Sequence, residues 1–254
     1  GPGMICVARV GGYLITLQVM PVIVGILGTL LLGLLMGCIN GVLVAVLELP
    51  PFIATLGTMM VARGFGSIIT GGMSVTWPAA SSEQGWFRML FKINKPGLLL
   101  PVGFIWVVIF VILMSLFLNK TRPGRYIIAI GSNKEATRLS GVNVVKYQAL
   151  AYIISGVFAG IAGIAYAAVF SSSIAPGTGA GLELDAIAGA IIGGTSMAGG
   201  CGSIFGTLLG VFVMSMLKSG LPYIGLQANW QQIITGLILI LAVFIDVIKN
   251  RKLA

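Results

Sequence analysis

Apolar stretches long enough to cross a lipid bilayer make up most of this chain and limit the folds open to it. A transmembrane helix needs about 20 predominantly apolar residues to cover the hydrocarbon core. Hydrophobic residues make up 57% and charged residues 8% of the 254-residue sequence, whereas soluble domains carry about 25% charged residues. The sequence therefore predicts an all-α polytopic membrane protein, a bundle of several spanning helices. The uninterrupted predicted spans are residues 17–46, 52–69, 98–118, 147–170 and 231–248.

A sixth apolar stretch, residues 186–217, is interrupted by two glycine-rich clusters. In lipid, irregular backbone is tolerated only where protein buries it or where it lines a water-filled cavity. We therefore predict a broken or re-entrant pair of short helices, and the glycine-rich turn between them is a candidate for lining a pathway through the membrane. The hydroxyl groups of Thr195 and Ser196 would either contact a polar solute or serve packing. The predicted pathway residues are Gly193, Gly194, Thr195, Ser196, Gly199 and Gly200.

The uneven distribution of basic residues predicts the orientation of the chain. Of the fifteen lysines and arginines, residues 119–146 hold six and the C-terminal tail holds three, and cytoplasmic segments retain such residues. We expect both segments inside the cell and the acidic segment 171–185 outside. Residues 186–217 must then cross the membrane an even number of times or dip in and return.

The same orientation has two consequences for the first part of the chain. Loop 71–97 falls outside despite its three basic residues, and we expect Trp77, Trp86 and Phe87 to form an interfacial aromatic belt. The residues near Gly12 also fall outside, which is awkward for a first helix without a signal peptide. We therefore expect the chain to lack an odd number of upstream crossings.

Three charged residues lie where a helix enters or crosses the membrane. Glu183 and Asp185 are predicted to cap the first helix of the broken pair, because acids there satisfy free N–H groups and the helix dipole. The alternative for both is contact with a substrate or a binding protein. Arg63 lies within span 52–69 and is either a functional intramembrane charge or a side chain that snorkels to the outer interface.

A short helix is predicted inside the basic segment 119–146. Residues 134–141 would form about two turns, with Ser132 or Asn133 as the N-cap and Gly141 as the stop. Exposed charged side chains on this helix would suit binding to a soluble partner. The alternative is an ordinary solvated loop.

Small residues recur at every fourth position in two of the spans. Such spacing lets helix backbones approach closely in lipid, and it serves either packing within the chain or a dimer face or pathway lining. The two sets are Gly33, Gly37 and Gly41 in one span, and Gly156 and Gly160 in another.

The sequence shows neither a catalytic constellation nor a metal site. It contains no histidine, its three cysteines are far apart, and neither a P-loop nor an HExxH motif is present. We therefore predict that the chain is not an enzyme and binds no cofactor or metal itself. The net charge of +9 is explained by cytoplasmic loops, so we predict no nucleic acid partner.

Three motifs resemble one family of transporters. They are LPPFIATLGTMMVARG at 49–64, GRYIIAIGSNKEATRLSGVNV at 124–144 and GLELDAIAGAIIGGTSMAGG at 181–200. Together they are similar to the ribose-type carbohydrate permeases of ABC importers, in the branched-chain amino acid/ribose permease superfamily. The resemblance implies a fold similar to the large-type ABC importer permeases and a place in the bacterial inner membrane. The family's upstream GIDLSVG-like segment is absent, so we expect an N-terminal truncation.

The resemblance also implies partners and residue roles. Two permease chains, identical or different, would pair, two cytoplasmic ABC ATPase subunits would carry the ATP, and a periplasmic sugar-binding protein would deliver a monosaccharide. Residues 134–141 would be the helix that couples the permease to the ATPase, and residues 185–202 the broken segment near the pathway. The implied coupling residues are Lys134, Glu135, Ala136, Arg138, Leu139 and Gly141.

Two other functions stay open at this point. An ion-coupled secondary transporter would need an ionisable group at mid-membrane, and only Arg63 comes near that position. A non-transporting membrane partner of an intact permease would be consistent with the expected loss of upstream crossings.

Overall fold

Helices make up nearly all of the regular structure of this protein. The only β-structure within the described part of the chain is an isolated bridge between Val75 and Ile174. Six helical segments are long and apolar enough to cross a membrane, which confirms the all-α polytopic membrane class. The computed structural model describes residues 2–16, 20–79, 82–92, 101–170, 174–225 and 228–251.

Eleven α-helices lie in these described ranges. They are α1 (Pro2–Thr16), α2 (Val22–Gly41), α3 (Pro51–Ile69), α4 (Trp86–Lys92), α5 (Val102–Lys120), α6 (Arg122–Ser132), α7 (Lys134–Leu139), α8 (Val144–Phe170), α9 (Leu182–Ile192), α10 (Ile204–Gly220) and α11 (Ala228–Arg251). A π-helical turn, Val42–Val46, extends α2, and a 3₁₀ turn, Leu221–Ile224, extends α10. The candidate spans are therefore α2, α3, α5, α8, α10 and α11.

The predicted spans 17–46 and 98–118 begin earlier than α2 and α5, on residues outside the described ranges. α2 has Pro21 at its N-cap, with φ −57° and ψ 145°, and α5 follows Pro101. Proline disfavours helical backbone in the residue before it, so each proline marks a helix start. Residues 171–173 of the predicted outer segment also lie outside the described ranges.

Residues 1–109 and 145–180 form the first of two compact units. Its hydrophobic core joins α1, the start of α2 and the end of α8 to the loop after α3. Trp77 is 3% exposed and Phe87 is fully buried, and the Trp77 Nε1–H donates to the Ala8 carbonyl oxygen at 3.0 Å. The predicted aromatic belt is therefore wrong for Trp77 and Phe87, because both rings fill the protein core. Trp86 is the exposed member of the three.

Arg88 holds the same loop in place. Its Nε donates to the Pro78 carbonyl oxygen at 2.5 Å and its Nη2 to the Trp77 carbonyl oxygen at 2.9 Å. The side chain is buried, and this burial lowers the pKa of Arg88. Since arginine stays protonated far above neutral pH, Arg88 is a buried cation bound to loop carbonyls rather than a free surface charge.

The two glycine stripes predicted from the sequence face each other between α2 and α8. A methyl group added to Gly33 would lie 2.6 Å from the Gly156 carbonyl oxygen, and one added to Gly37 would lie 2.7 Å from that of Tyr152. Such distances leave no room for any side chain between the helices. The prediction of close packing within the chain is confirmed.

Residues 110–144 and 181–254 form the second compact unit. In this unit α9 and α10 pack side by side, and a methyl group added to Gly189 would lie 2.9 Å from the Val211 Cα. α9 has 11 residues, whereas α10 with its 3₁₀ turn forms a candidate span of 20 residues. The prediction of two short helices is therefore wrong for the second one, which is of full spanning length.

Candidate coupling and pathway site

The short helix predicted in the basic segment is present as α7, and local signals define both of its ends. The Asn133 side chain accepts a hydrogen bond of 2.9 Å from the Ala136 N–H, which makes Asn133 the N-cap. Gly141, with φ +80°, follows the helix in the left-handed conformation that favours glycine. The predicted cap and stop are therefore confirmed.

The exposed surface of α7 combines charged side chains with one large apolar side chain. Arg138 Nη1 lies 3.8 Å from Glu135 Oε1, and both side chains are more than 70% exposed, so this ion pair contributes little to stability. Leu139 is 85% exposed although leucine usually lies inside proteins. In contrast Thr137 is buried and faces the protein. All six predicted coupling residues, Lys134, Glu135, Ala136, Arg138, Leu139 and Gly141, are exposed.

The glycine-rich loop between α9 and α10 lies directly against the residues that precede α7. A methyl group added to Gly131 would lie 2.6 Å from the Gly200 nitrogen, and one added to Gly199 would lie 2.7 Å from the Gly131 oxygen. A methyl group added to Gly200 would likewise lie 2.8 Å from the Ser132 Cα. The backbone of the predicted pathway segment thus touches the backbone of the residues just before the predicted coupling helix.

The glycine-rich break lies inside the apolar stretch 186–217, as the sequence predicted. The loop runs between Ile192, which ends α9, and Ile204, which begins the full-length α10. The loop is built on glycine because Gly194, Gly199 and Gly200 all have positive φ, between +76° and +92°, a region in which other residues are strained.

The two hydroxyl groups among the predicted pathway residues are both bonded within the protein. Thr195 Oγ1 lies 3.1 Å from Thr207 Oγ1 on α10. Ser196 Oγ donates to Asp246 Oδ2 on α11 at 3.1 Å. The structure therefore gives Thr195 and Ser196 a packing role, and their contact with a solute stays a prediction.

Asp246 is a site residue that the sequence analysis missed. Its Oδ2 accepts the Ser196 hydroxyl and also the Met197 N–H, at 3.1 Å each. One carboxylate thereby fixes the glycine-rich loop to α11, and hydrogen bonds to a charged group are among the stronger ones. An acid within the last apolar span is the signal that could have revealed it, because ionisable residues in spans are usually functional.

The two acids at the start of α9 have roles that differ from the predicted capping. The N-cap residue is Gly181, which has no side chain to offer, and both acids lie within the first turn. Asp185 forms an ion pair with Lys218 of α10, whereas Glu183 Oε2 is buried without a hydrogen-bond partner. Negative charges in the first turn still interact favourably with the helix dipole. Neither acid, however, caps the helix through a side-chain hydrogen bond at the N-cap position.

The chemistry of the site is that of hydrogen bonding and backbone contact. Among the described residues, no three histidine, cysteine, aspartate or glutamate side chains gather as metal ligands would. A continuous series of contacts instead joins the residues before α7 to the last span. It runs through Gly131, Gly199, Ser196 and Asp246.

Comparison with known proteins places the chain in a family. Residues 1–243 match the family described as branched-chain amino acid transport system / permease component. No solved structure matches the chain.

Three curated relatives illustrate the likeness. The ribose import permease protein of Escherichia coli (strain K12) is 40% identical over 234 residues, covering 91% of this chain and 70% of the relative. The galactose/methyl galactoside import permease protein of Haemophilus influenzae is 38% identical over 239 residues, covering 91% and 69%. A probable ABC transporter permease protein of Escherichia coli is 36% identical over 207 residues, covering 82% and 60%. From the family match and these identities, the chain is a member of the branched-chain amino acid transport system / permease component family.

Proposed function

We propose that this chain is the membrane-spanning permease subunit of an ATP-driven ABC importer that carries a monosaccharide across the bacterial inner membrane. The relatives named for ribose and for galactose import, together with six candidate spans, support this reading. The observation that carries it is the contact between Gly131, just before α7, and Gly200 in the glycine-rich loop.

The surface of α7 supports one of the proposed partners. A helix with exposed Lys134, Glu135 and Arg138 beside an 85% exposed Leu139 suits a groove that offers both charge and apolar surface. We assign that groove to a cytoplasmic ABC ATPase subunit, which binds the ATP. A second permease chain and a periplasmic sugar-binding protein complete the assembly, and this chain itself carries no cofactor.

The proposed mechanism is alternating access driven through α7. Closure of the ATPase dimer would move α7, and Gly131 would press on Gly199 and Gly200 because no side chains lie between the backbones. The Ser196–Asp246 hydrogen bond would pass that movement to α11. Packed interfaces that have two discrete arrangements turn small shifts into the larger change between inward-open and outward-open states. A neutral sugar needs only weak polar contacts along its path.

Reversing the charges of α7 tests ATPase docking. In a Glu135→Lys plus Arg138→Glu variant, the ion pair within α7 is kept while the pattern presented to a partner is reversed. We expect co-purification of the cognate ATPase to fall at least tenfold with the thermal midpoint of the permease unchanged. Glu83→Lys, at an exposed position of the first unit, is the control and should bind normally. Equal ATPase binding by the double variant would remove the coupling assignment.

Uptake measurements separate the importer from the two alternatives. Radiolabelled ribose and galactose are offered to proteoliposomes containing the permease, its ATPase and its binding protein. The importer reading predicts uptake that stops when ATP is withheld and survives a proton uncoupler. The opposite pattern would show an ion-coupled transporter, and ATPase binding without uptake of any monosaccharide in a wider panel would favour a non-transporting partner.

A further inference from the structure

Three basic residues lie at the junction between α5 and α6. Lys120 is the last residue of α5, Arg122 is the first residue of α6, and Arg125 follows about one turn later. All three side chains are exposed. No acid occurs between Glu83 and Glu135 in the sequence. We call Lys120, Arg122 and Arg125 the basic junction.

The basic junction takes no part in the ion pairs of its own unit. Within the described part of the second unit, these pairs join Arg138 to Glu135 and Lys218 to Asp185. The Asp246 carboxylate is bound to the glycine-rich loop. The junction therefore presents its positive charges to the surroundings and attracts anions.

The start of α6 lies beside the last turn of α5. A methyl group added to Gly124 would overlap the Phe117 carbonyl oxygen and lie 2.6 Å from the Leu118 Cα. The chain changes direction at Thr121, whose backbone is extended, with φ −93° and ψ 153°, and whose side chain accepts a hydrogen bond from the Gly124 N–H. α6 therefore folds back against α5 instead of continuing away from it.

The length of α5 places the basic junction at the membrane boundary. α5 has 19 residues, which corresponds to about 28 Å at 1.5 Å per residue, and the hydrocarbon core is roughly 30 Å thick. Lys120 at the end of α5 therefore lies near the level of the lipid headgroups. Arg122 and Arg125 lie near the same level, because α6 begins beside Phe117 and Leu118.

The two arginines lie away from the face by which α6 packs on the protein. Gly124 and Gly131 are seven residues apart and so share one helix face, which contacts α5 and the glycine-rich loop. At about 100° per residue, Arg122 lies about 160° and Arg125 about 100° around the helix from Gly124. Both guanidinium groups are therefore accessible to a ligand from outside the chain.

We propose that Lys120, Arg122 and Arg125 form a binding site for the phosphate headgroup of an anionic lipid. Guanidinium groups bind phosphate oxygens through pairs of parallel hydrogen bonds, and basic clusters next to a membrane span attract anionic headgroups. A bound lipid would hold the start of α6 at the membrane surface. The site is independent of the sugar-import proposal, because it involves neither the solute nor its pathway.

Lipid titration of the purified full chain in detergent tests the site. Phosphatidylglycerol or phosphatidylcholine is added, and native mass spectrometry counts the bound lipids. We expect preferential binding of phosphatidylglycerol, weakened on the order of tenfold in the Arg122→Gln plus Arg125→Gln variant. Lys134→Gln plus Arg138→Gln removes the same charge from α7 and should bind phosphatidylglycerol like the wild type. Equal weakening in both double variants would overturn the proposal in favour of general charge attraction.

Thermal unfolding distinguishes a lipid from free phosphate. A ligand that binds only the folded state raises stability with its concentration, so phosphatidylglycerol should raise the wild-type thermal midpoint. Inorganic phosphate at the same concentration should leave it unchanged. An equal rise with inorganic phosphate would overturn the lipid assignment in favour of a soluble anion.

Hydrogen exchange reports where the lipid binds. In nanodiscs, the amides of α6 should exchange more slowly with phosphatidylglycerol than with phosphatidylcholine alone, and the double glutamine variant should lose this difference. Arg122→Lys plus Arg125→Lys keeps the charge and should retain the lipid preference, and Arg125→Gln alone is used if the double glutamine variant does not fold. Unchanged lipid binding by the glutamine variant together with lost ATPase co-purification would overturn the proposal and assign both arginines to ATPase docking.

Discussion

The Asp246 carboxylate accepts hydrogen bonds from both the Ser196 hydroxyl and the Met197 amide, each at 3.1 Å. Ser196 and Asp246 are 50 residues apart in sequence. A single oxygen atom of the last span therefore fixes two consecutive residues of the glycine-rich loop. The loop's position depends on α11 as well as on the backbone contact at Gly131.

Removing the Asp246 carboxylate should release the glycine-rich loop. Hydrogen bonds to charged groups contribute about 1.5–3 kcal/mol, so we expect Asp246→Ala to lower the thermal midpoint by several degrees and to reduce uptake at normal expression. Asp246→Asn keeps one acceptor oxygen and should fall between wild type and Asp246→Ala. A fully active, fully stable Asp246→Ala variant would show that the carboxylate is dispensable.

A methyl group at Gly131 should interfere with the contact between the loop and the residues before α7. Added there, it would lie 2.6 Å from the Gly200 nitrogen, and overpacking of this kind costs about 1–3 kcal/mol. We expect Gly131→Ala to uncouple ATP hydrolysis from uptake, measured as sugar transported per ATP hydrolysed. Gly236→Ala is the matched control, because nothing lies within 4 Å of that added methyl. Equal coupling ratios in the two variants would argue against the contact.

Cysteine labelling should place the glycine-rich loop on the same membrane side as α7. Cys201 is exposed and follows Gly200, which meets Ser132 next to the N-cap of α7. With Cys6 and Cys38 replaced by alanine, an impermeant maleimide should reach Cys201 only from the cytoplasmic face. A Lys134→Cys variant on a cysteine-free background should behave in the same way. Labelling of the two positions from opposite faces would contradict the described arrangement.

The Asp185–Lys218 ion pair should show coupling in a double-mutant cycle. The Asp185 side chain is 16% exposed and that of Lys218 39%, and removing one partner of a poorly solvated pair leaves the other uncompensated. We expect Lys218→Met to lower the thermal midpoint more than the Lys218→Met plus Asp185→Asn double variant does. Additive effects of the two substitutions would mean that the pair has no energetic coupling.

The ends of α7 were predictable because their signals are local. Asn133 accepts from a backbone N–H only three residues ahead, and Gly141 alone decides whether the chain can turn at φ +80°. The glycine stripes of α2 and α8 were also readable, since a spacing of four residues places small side chains on one helix face. Each of these features depends on near neighbours in the sequence.

The long-range pairs could not be predicted from such patterns. Arg9 donates a hydrogen bond to Thr70, which is 61 residues away in sequence, and Ser196 donates one to Asp246, which is 50 residues away. The spacing of residues within one segment does not predict which distant polar groups pair. The predicted stretch 186–217 ends one residue before Lys218, whereas α10 continues to Gly220. The ion pair of Lys218 with Asp185 explains how α10 continues beyond that charge.

The direct backbone contact between α2 and α8 restricts how the first unit can rearrange. With only backbone atoms at the closest points, as between Gly33 and Gly156, no side-chain rotamer can adjust to a shifted register. Sliding one helix by a single turn would bring bulkier residues into the seam and force the axes apart. We therefore expect α2 and α8 to move together as one rigid body throughout a transport cycle. The hinges that permit motion must then lie elsewhere in the chain.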